Sequence, residues 1–360
     1  ARLSDGWYLY NQDLGTKLAD RIDDLDKVTF FEGLGSVGDK ARRIAALARE
    51  IAPMVGADPD VAERAAKLAK ADLVTGMVYE FPELQGVMGR YYALEQGESA
   101  DIADAIRDHY KPAGQDDDVP TNPVSVAVAL ADKIDTLTAF WAIDQKPTGS
   151  KDPFALRRAA LGVIQLIEEN TIRTELMLLV KKAISGLGAI AKEGGFGENL
   201  VSFFHDRLKV YLKDKGHKHD AIDAVLVSAD GVLADDFVLV ASKLSALESF
   251  LKTDDGANLA AAYKRAANIL KAEEKKDKKP ADPNGVEESR LVEAEEKALF
   301  AALKDAEVKT EKAVAAEDFE AAMTALSGLR GPLDAFFEKV TVNADDAGLR
   351  ANRLSLLARF

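Results

Sequence analysis

No cysteine occurs anywhere in the 360 residues, which excludes disulfides, thiolate nucleophiles and thiolate metal sites together. Histidine is nearly as scarce, with four imidazoles in all to move protons or bind metal. No apolar run approaches the ~20 residues that a membrane-spanning helix needs. The expectation is a soluble, cytoplasmic chain with no membrane partner. Positive charge is also in deficit, since 47 Lys and Arg face 61 Asp and Glu, a net charge of −14. Acidic surfaces repel phosphate backbones, so composition alone argues against nucleic acid. What decides docking is where the basic groups sit rather than their sum.

Strand signals are almost absent. Only Lys27–Phe31 concentrates the β-branched and aromatic residues that favour extended backbone. No internal repeat of roughly 20 to 50 residues and no long heptad run is present. What fills the chain is helix punctuation. Ser36 to Asp39 reads as a capping box with Asp in place of Glu, and Ile44, Leu47 and Ile51 follow at helical spacing. Asp58-Pro59, Asn122-Pro123 and Asp152-Pro153 each pair an Asx cap with a proline at the first helical position. With Pro82 and Ser99 they divide residues 36–150 into five or more helices, one striped by Val126, Leu130 and Leu137. Helices continue over 153–235, punctuated by Gly186, Gly188 and the Gly194-Gly195-Phe196-Gly197 loop. Val240, Leu244, Leu247 and Leu251, and again Ala322, Leu326, Leu329 and Leu333, mark one-faced bundle helices. Lys271–Gly285 between them reads as an exposed loop. The fold class is all-α, in two or three bundles, as the length also suggests.

The most informative stretch is Lys70 to Gly97, KADLVTGMVYEFPELQGVMGRYYALEQG. A solvent-facing helix tolerates almost any polar filler, so this crowding of small, aromatic, acidic and amide residues needs another reason. Pro82 fits the first turn of one helix and Gly97 the position past its end, which puts a corner at Phe81-Pro82. The stretch resembles the β subunit of the bacterial heterotetrameric glycyl-tRNA synthetase. The resemblance continues through HYKP (His109–Pro112), ALADKIDTL (Ala129–Leu137), PTGSKDPFALRRAALG (Pro147–Gly162) and FFEKVTVNADDAGLRANRLSLL (Phe336–Leu357). Five blocks in order make it a specific match.

The resemblance implies the C-terminal portion of such a subunit. Residues 1–35 are then a frayed junction left by a missing N-terminal half, 36–150 a degenerate HD-like helical domain, 151–235 a helical body, and 236–360 a DALR-like anticodon-binding bundle. Enzymatic HD folds hold a divalent metal with a His…His-Asp…Asp set and use it to activate water. Here the expected His-Asp pair reads Ala71-Asp72, and only Asp72, His109 and Asp132 remain as candidates. The domain is therefore expected to be metal-free, with Asp72 and Asp132 capping helices or pairing with Lys70 or Lys133. His205-Asp206 and His219-Asp220 read as chance pairs on surface helices. Glu80, Glu83 and Gln85 read as structural, and Gly86, Gly89, Gly194, Gly195 and Gly197 fail the phosphate-loop pattern for want of a preceding strand and a following Lys-Ser/Thr.

Two places could meet RNA. The Pro147–Arg158 turn opens a helix near Arg157 and Arg158, and a helix N-terminus beside cations can receive phosphate; the alternative is that Asp152 caps that helix. In the C-terminal bundle the resemblance points to Lys264, Arg265, Asn268, Phe337, Arg350, Asn352 and Arg353. Arg350 and Arg353, three apart, share a helical face, and anticodon bases stack on aromatic rings or guanidinium planes. Lys264–Lys279 carries seven Lys or Arg against three Asp or Glu, a basic island in an acidic chain. The implied function is tRNA(Gly) recognition within an α2β2 enzyme. Adenylate chemistry, with ATP and magnesium, belongs to the α subunit, so this chain is expected to bind no cofactor, to be inert alone and to bind no DNA. The rivals are a metal-dependent HD phosphohydrolase and a pure assembly scaffold.

Overall fold

A computed structural model describes residues 2–191, 195–227 and 231–360; Gly194 lies outside them. Among the described residues the regular structure is seventeen α-helices, five 3-10 segments and one two-stranded hairpin, the all-α class expected. The chain divides into two compact units, Ala1–Val240 and Ala241–Phe360.

In the first unit α1 (Arg2–Leu14) leads through a 3-10 segment, Leu18–Lys27, to an antiparallel hairpin of β1 (Thr29–Phe31) and β2 (Gly35–Ser36). This segment is packed rather than frayed. The buried Asp13 carboxylate accepts Gly76 N–H at 2.8 Å, Met77 N–H at 2.9 Å and the Tyr92 hydroxyl at 2.9 Å. Next, α2 (Val37–Val55) opens on the capping box, Ser36 Oγ accepting Asp39 N–H at 3.0 Å and Asp39 accepting Ser36 N–H at 2.9 Å. Asp58 caps α3 (Pro59–Leu68). Then come α4 (Gly76–Glu80), α5 (Val87–Glu95), α6 (Ala100–Asp108) capped by Ser99, and α7 (Pro123–Ala142) capped by Asn122.

The helix α7 is buried around most of its circumference, as a helix apolar on all sides must be. It packs against α2, α3 and α6, and against α8 (Leu156–Glu169) and α9 (Leu176–Gly186); α10 (Phe196–Asp214) and α11 (His219–Leu226) complete the unit. Two expected starts shift. Pro82 opens only a 3-10 turn, Pro82–Leu84, and the chain reverses at Gly86 (φ 78°) before α5 begins. Asp152 caps α8, but the helix starts at Leu156 after a turn rather than at Pro153.

The division between units falls in α12 (Phe237–Leu251). The second unit continues with α13 (Asp254–Asp277), α14 (Ala294–Ala315), α15 (Phe319–Ser327), α16 (Arg330–Lys339) and α17 (Ala347–Arg359). Its core gathers Leu299, Leu303, Leu333, Phe336, Leu356 and Leu357. The expected loop at Lys271 is helical as far as Asp277, because Ala, Glu and Lys are strong helix formers and nothing breaks the run before Lys278 turns left-handed (φ 52°). The stripe from Ala322 to Leu333 is split between α15 and α16 near Gly328.

Candidate functional site

Four of the five sequence blocks converge inside the first unit on a cluster of buried charges. The Lys70 ammonium lies 2.8 Å from His109 Nε2, 3.2 Å from Asp132 Oδ2 and 4.1 Å from the centre of the Tyr110 ring. An ammonium can only donate, so Nε2 accepts, and Nδ1–H donates to the Ile106 carbonyl at 2.7 Å. The imidazole is therefore neutral, and burial together with the Lys70 charge holds its pKa well below the usual range. Asp132 Oδ1 receives a second ammonium, Lys40, at 3.0 Å. Burial opposes ionisation of Asp132, but Lys40 and Lys70 outweigh it and hold its pKa well below that of an ordinary carboxyl. Asp135 in turn binds Lys40 at 3.2 Å and Arg43 at 2.7 Å.

The glycines of the same blocks make room for this cluster. Lys133 donates to the carbonyls of His109 and Tyr110 at 3.4 and 3.2 Å, and burial lowers its pKa to about 8. A Cβ on Gly162 would sit 2.6 Å from Lys133 Cε and 3.2 Å from the Pro112 carbonyl oxygen. Asp72 caps α5, its Oδ2 accepting Gly86 N–H at 2.6 Å and Gly89 N–H at 3.0 Å, while its buried Oδ1 has no partner among the described residues. Burial pushes its pKa up to about 6 despite those hydrogen bonds.

Of the three HD-like candidates, then, His109 and Asp132 are brought together and Asp72 serves a different element. The space between the first two is filled by Lys70. Among the described residues no group of three or more His, Asp or Glu side chains is placed to hold a metal, and the donor set does not fit one: an ammonium already satisfies the imidazole and the carboxylate. Pairing of Asp132 with Lys70 was one of the expected alternatives, whereas the contact of Lys70 with His109 and the part played by Lys40 were not anticipated. A signal existed in Lys133, a lone cation in the apolar run of α7, which has no solvent side to reach.

The other histidines divide. His205 is buried rather than on a polar surface, its ring nitrogens directed at the carbonyls of Val201 (2.8 Å) and Ala234 (2.5 Å). His219 is exposed and lies 3.0 Å from Asp223. At the start of α8 the Asp152 carboxylate accepts Leu156 and Arg157 N–H groups at 2.8 and 2.9 Å, so an anion already occupies that helix terminus. Arg157 donates to the Gly149 carbonyl at 2.6 Å, and Arg158 is exposed.

In the second unit the expected RNA-facing residues separate into two groups. Arg353 is buried, with Nε 2.7 Å from Glu296 Oε1 and Nη1 2.9 Å from the Thr341 carbonyl. Glu296, fully buried, also accepts Val292 and Glu293 N–H at the head of α14, so this pair fastens α17 to α14. Asn352 is buried too and brackets the Glu287 peptide, accepting its N–H at 2.7 Å and donating to its carbonyl at 3.1 Å. Arg350 is held by Glu273 at 2.5 Å and Asp277 at 2.8 Å. The expectation that Asn352 and Arg353 face RNA is thus corrected. Spacing put Arg350 and Arg353 on one face, and that face turns inward.

The second group is open. Lys264, Arg265 and Asn268 lie exposed on α13. The Arg265 guanidinium stacks 4.4 Å from the centre of the half-buried Phe337 ring, while the neighbouring Phe336 is the core residue. A planar cation on an aromatic face, flanked by a lysine and an amide, can stack an unpaired base and hold its phosphate. Tyr263, just before this group in the chain, is 60% exposed, with its ring edge-on to Phe360 at 5.9 Å.

Residues 1–227 match the family described as glycyl-tRNA synthetase beta subunit, and residues 259–360 match the DALR anticodon binding domain. The chain is similar over its whole length to proteins named glycine–tRNA ligase beta subunit. It is 56% identical to that of Rhodospirillum centenum over 363 residues, covering 50% of that protein, and 53% identical to that of Paracoccus denitrificans over 367 residues, covering 51%. The protein of Ruegeria sp. is 52% identical over 365 residues, 51% of its length. The chain thus spans about half the length of these relatives.

Proposed function

Because the chain belongs to the glycyl-tRNA synthetase beta-subunit family, we propose that it is a tRNA-recognition portion of glycine–tRNA ligase, reading tRNA(Gly) while an α subunit carries out glycylation. The observation that carries this reading is the exposed Arg265–Phe337 stack with Lys264 and Asn268, inside the residues that match an anticodon-binding domain. Phosphate contacts from the lysines would position the loop and the stack would hold a base. Residues 36–150 are read as an HD-like domain in which an ammonium replaces the metal, 151–235 as a helical body, and 236–360 as the anticodon-binding bundle. ATP and magnesium act through the α subunit in an α2β2 assembly located in the cytoplasm, and the chain alone transfers no glycine. The phosphohydrolase alternative is disfavoured by Lys70, whose ammonium takes the donors a metal would need.

The test is glycylation of tRNA(Gly) by the purified chain with and without α subunit, alongside direct tRNA binding. Glycyl transfer without the α subunit sinks the division of labour. Binding of the α subunit with no measurable affinity for tRNA turns the chain into an assembly scaffold.

A further inference from the structure

The His205 ring is 3% exposed on α10, and both of its nitrogens meet carbonyl oxygens, Nδ1 at 2.8 Å from Val201 of its own helix and Nε2 at 2.5 Å from Ala234. A carbonyl oxygen only accepts. A neutral imidazole carries a single N–H, so in either tautomer one of the two contacts sets a nitrogen lone pair against an oxygen lone pair. Only the imidazolium donates at both ends.

The Ala234 carbonyl belongs to a three-residue junction on which four helices meet. Ala234 N–H donates to the Leu226 carbonyl at the end of α11, at 2.8 Å. The Asp235 carbonyl accepts Leu176 N–H at 3.0 Å and its carboxylate accepts Met177 N–H at 3.0 Å, which closes the start of α9. Asp236 accepts Val238 and Leu239 N–H at 3.1 Å each, at the head of α12, and binds Arg173 at 2.7 Å. His205 adds α10 to this knot.

The charges around the ring suit a cation. Burial raises the Asp235 pKa, and the Met177 hydrogen bond and the charge of His205 act against that rise, while Glu175 adds a second negative group beside Asp235. The cations of the surrounding helices are engaged elsewhere. Lys209 of α10 is bound by Asp223 of α11 at 2.8 Å, Lys215 by Glu168 of α8 at 2.9 Å, and Lys182 of α9 by Glu50 at 2.5 Å. On α10 itself Asp206 is exposed and Arg207 lies over the Phe203 ring. The charges of α7 belong to the Lys70 cluster, and the remaining neighbour, Phe237, stands edge-on to the imidazole at 5.8 Å.

We propose that the second proton of His205 is a pH-sensitive staple: with it α10 is fastened to the Ala234 carbonyl and the junction is complete, and without it that fastening loosens. Imidazole is the side chain whose charge changes near physiological pH, so the tightness of the junction follows pH. The device is independent of RNA binding.

The test uses the 360-residue chain between pH 5 and pH 8.5. Ring nitrogen NMR, with His205 assigned among the four histidines by the signals missing from His205→Phe, should show two protonated nitrogens at the acid end and one bare nitrogen at the alkaline end. Hydrogen exchange of the Leu176 and Ala234 amides, taken relative to Ile164 and Leu166 in α8, should quicken by about fivefold with the same midpoint, the size of one net hydrogen bond. Asp72 titrates in this window too, at the cap of α5, and is unaltered in the variants. The step should therefore vanish in His205→Phe and persist in His219→Gln, which changes an exposed ring. A ring that keeps one bare nitrogen down to pH 5, exchange with no step where the ring titrates, or a step that survives in His205→Phe overturns the staple. If His205→Phe does not fold, the two wild-type measurements decide alone.

Discussion

At the scale of single residues, the centre of the first unit is a place where charges are buried in pairs. Lys70 stands between His109 and Asp132 as a fixed cation, and Lys70→Met removes it while leaving Asp132 buried with Lys40 alone. Breaking a buried pair costs about 3–5 kcal/mol; with Lys40 still in place, the lower end is expected in urea melts. Asp72 gives a pH signature. Its carboxyl loses its proton near 3.8 when unfolded and near 6 when folded. Between those values the folded state holds the extra proton, so stability falls as pH rises through that window, by about 3 kcal/mol. Asp72→Asn should flatten the melting profile between about pH 4 and pH 6 relative to the wild-type chain; a slope that survives contradicts the assignment. Capping or pairing roles for Asp72 and Asp132 were legible, since both sit beside lysines in helical sequence. Which lysine pairs with which carboxylate was not, because it depends on how helices far apart in the chain cross.

At the scale of elements, the start of most helices could be read and their extent could not. Ser36, Asp58, Ser99 and Asn122 cap the helices they were expected to cap, because capping is local chemistry within four residues. The overrun of α13 follows from the helix propensity of its Ala, Glu and Lys run, whereas the break between α15 and α16 near Gly328 is not encoded in a stripe of leucines. The crossing of α5 on α6 is close. A Cβ on Gly89 would lie 2.7 Å from Ile106 Cγ2 and 3.0 Å from Asp72 Oδ2, so Gly89→Ala should destabilise the first unit by about 1–3 kcal/mol by overpacking. In the second unit Arg353→Ala strands the buried Glu296 carboxylate and should cost about 3–5 kcal/mol. Any RNA-binding defect of that variant should appear together with a lowered melting midpoint. A binding defect in a fully stable Arg353→Ala protein contradicts the structural role given to it.

At the scale of the molecule, a net charge of −14 must coexist with an RNA-facing patch. The physical resolution is that open cations are concentrated on α13, while many others are paired within their unit. Replacing Lys264 and Arg265 by Glu should therefore weaken tRNA binding without changing the melting midpoint, and should reduce the salt slope of log affinity by about two. The family could be read from five sequence blocks, four of which line one buried cluster rather than a binding surface. Motifs report what must be kept, and here that is largely the packing of charge inside a helical unit.

The most direct test of the central claim is the affinity of the chain for tRNA(Gly) beside the same tRNA with its anticodon replaced, each with wild type and with Lys264→Ala/Arg265→Ala. The replaced anticodon should bind more weakly to the wild-type chain, and the double variant should lose most of that difference while keeping its melting midpoint. Equal binding of the two tRNAs by the wild-type chain would contradict the claim.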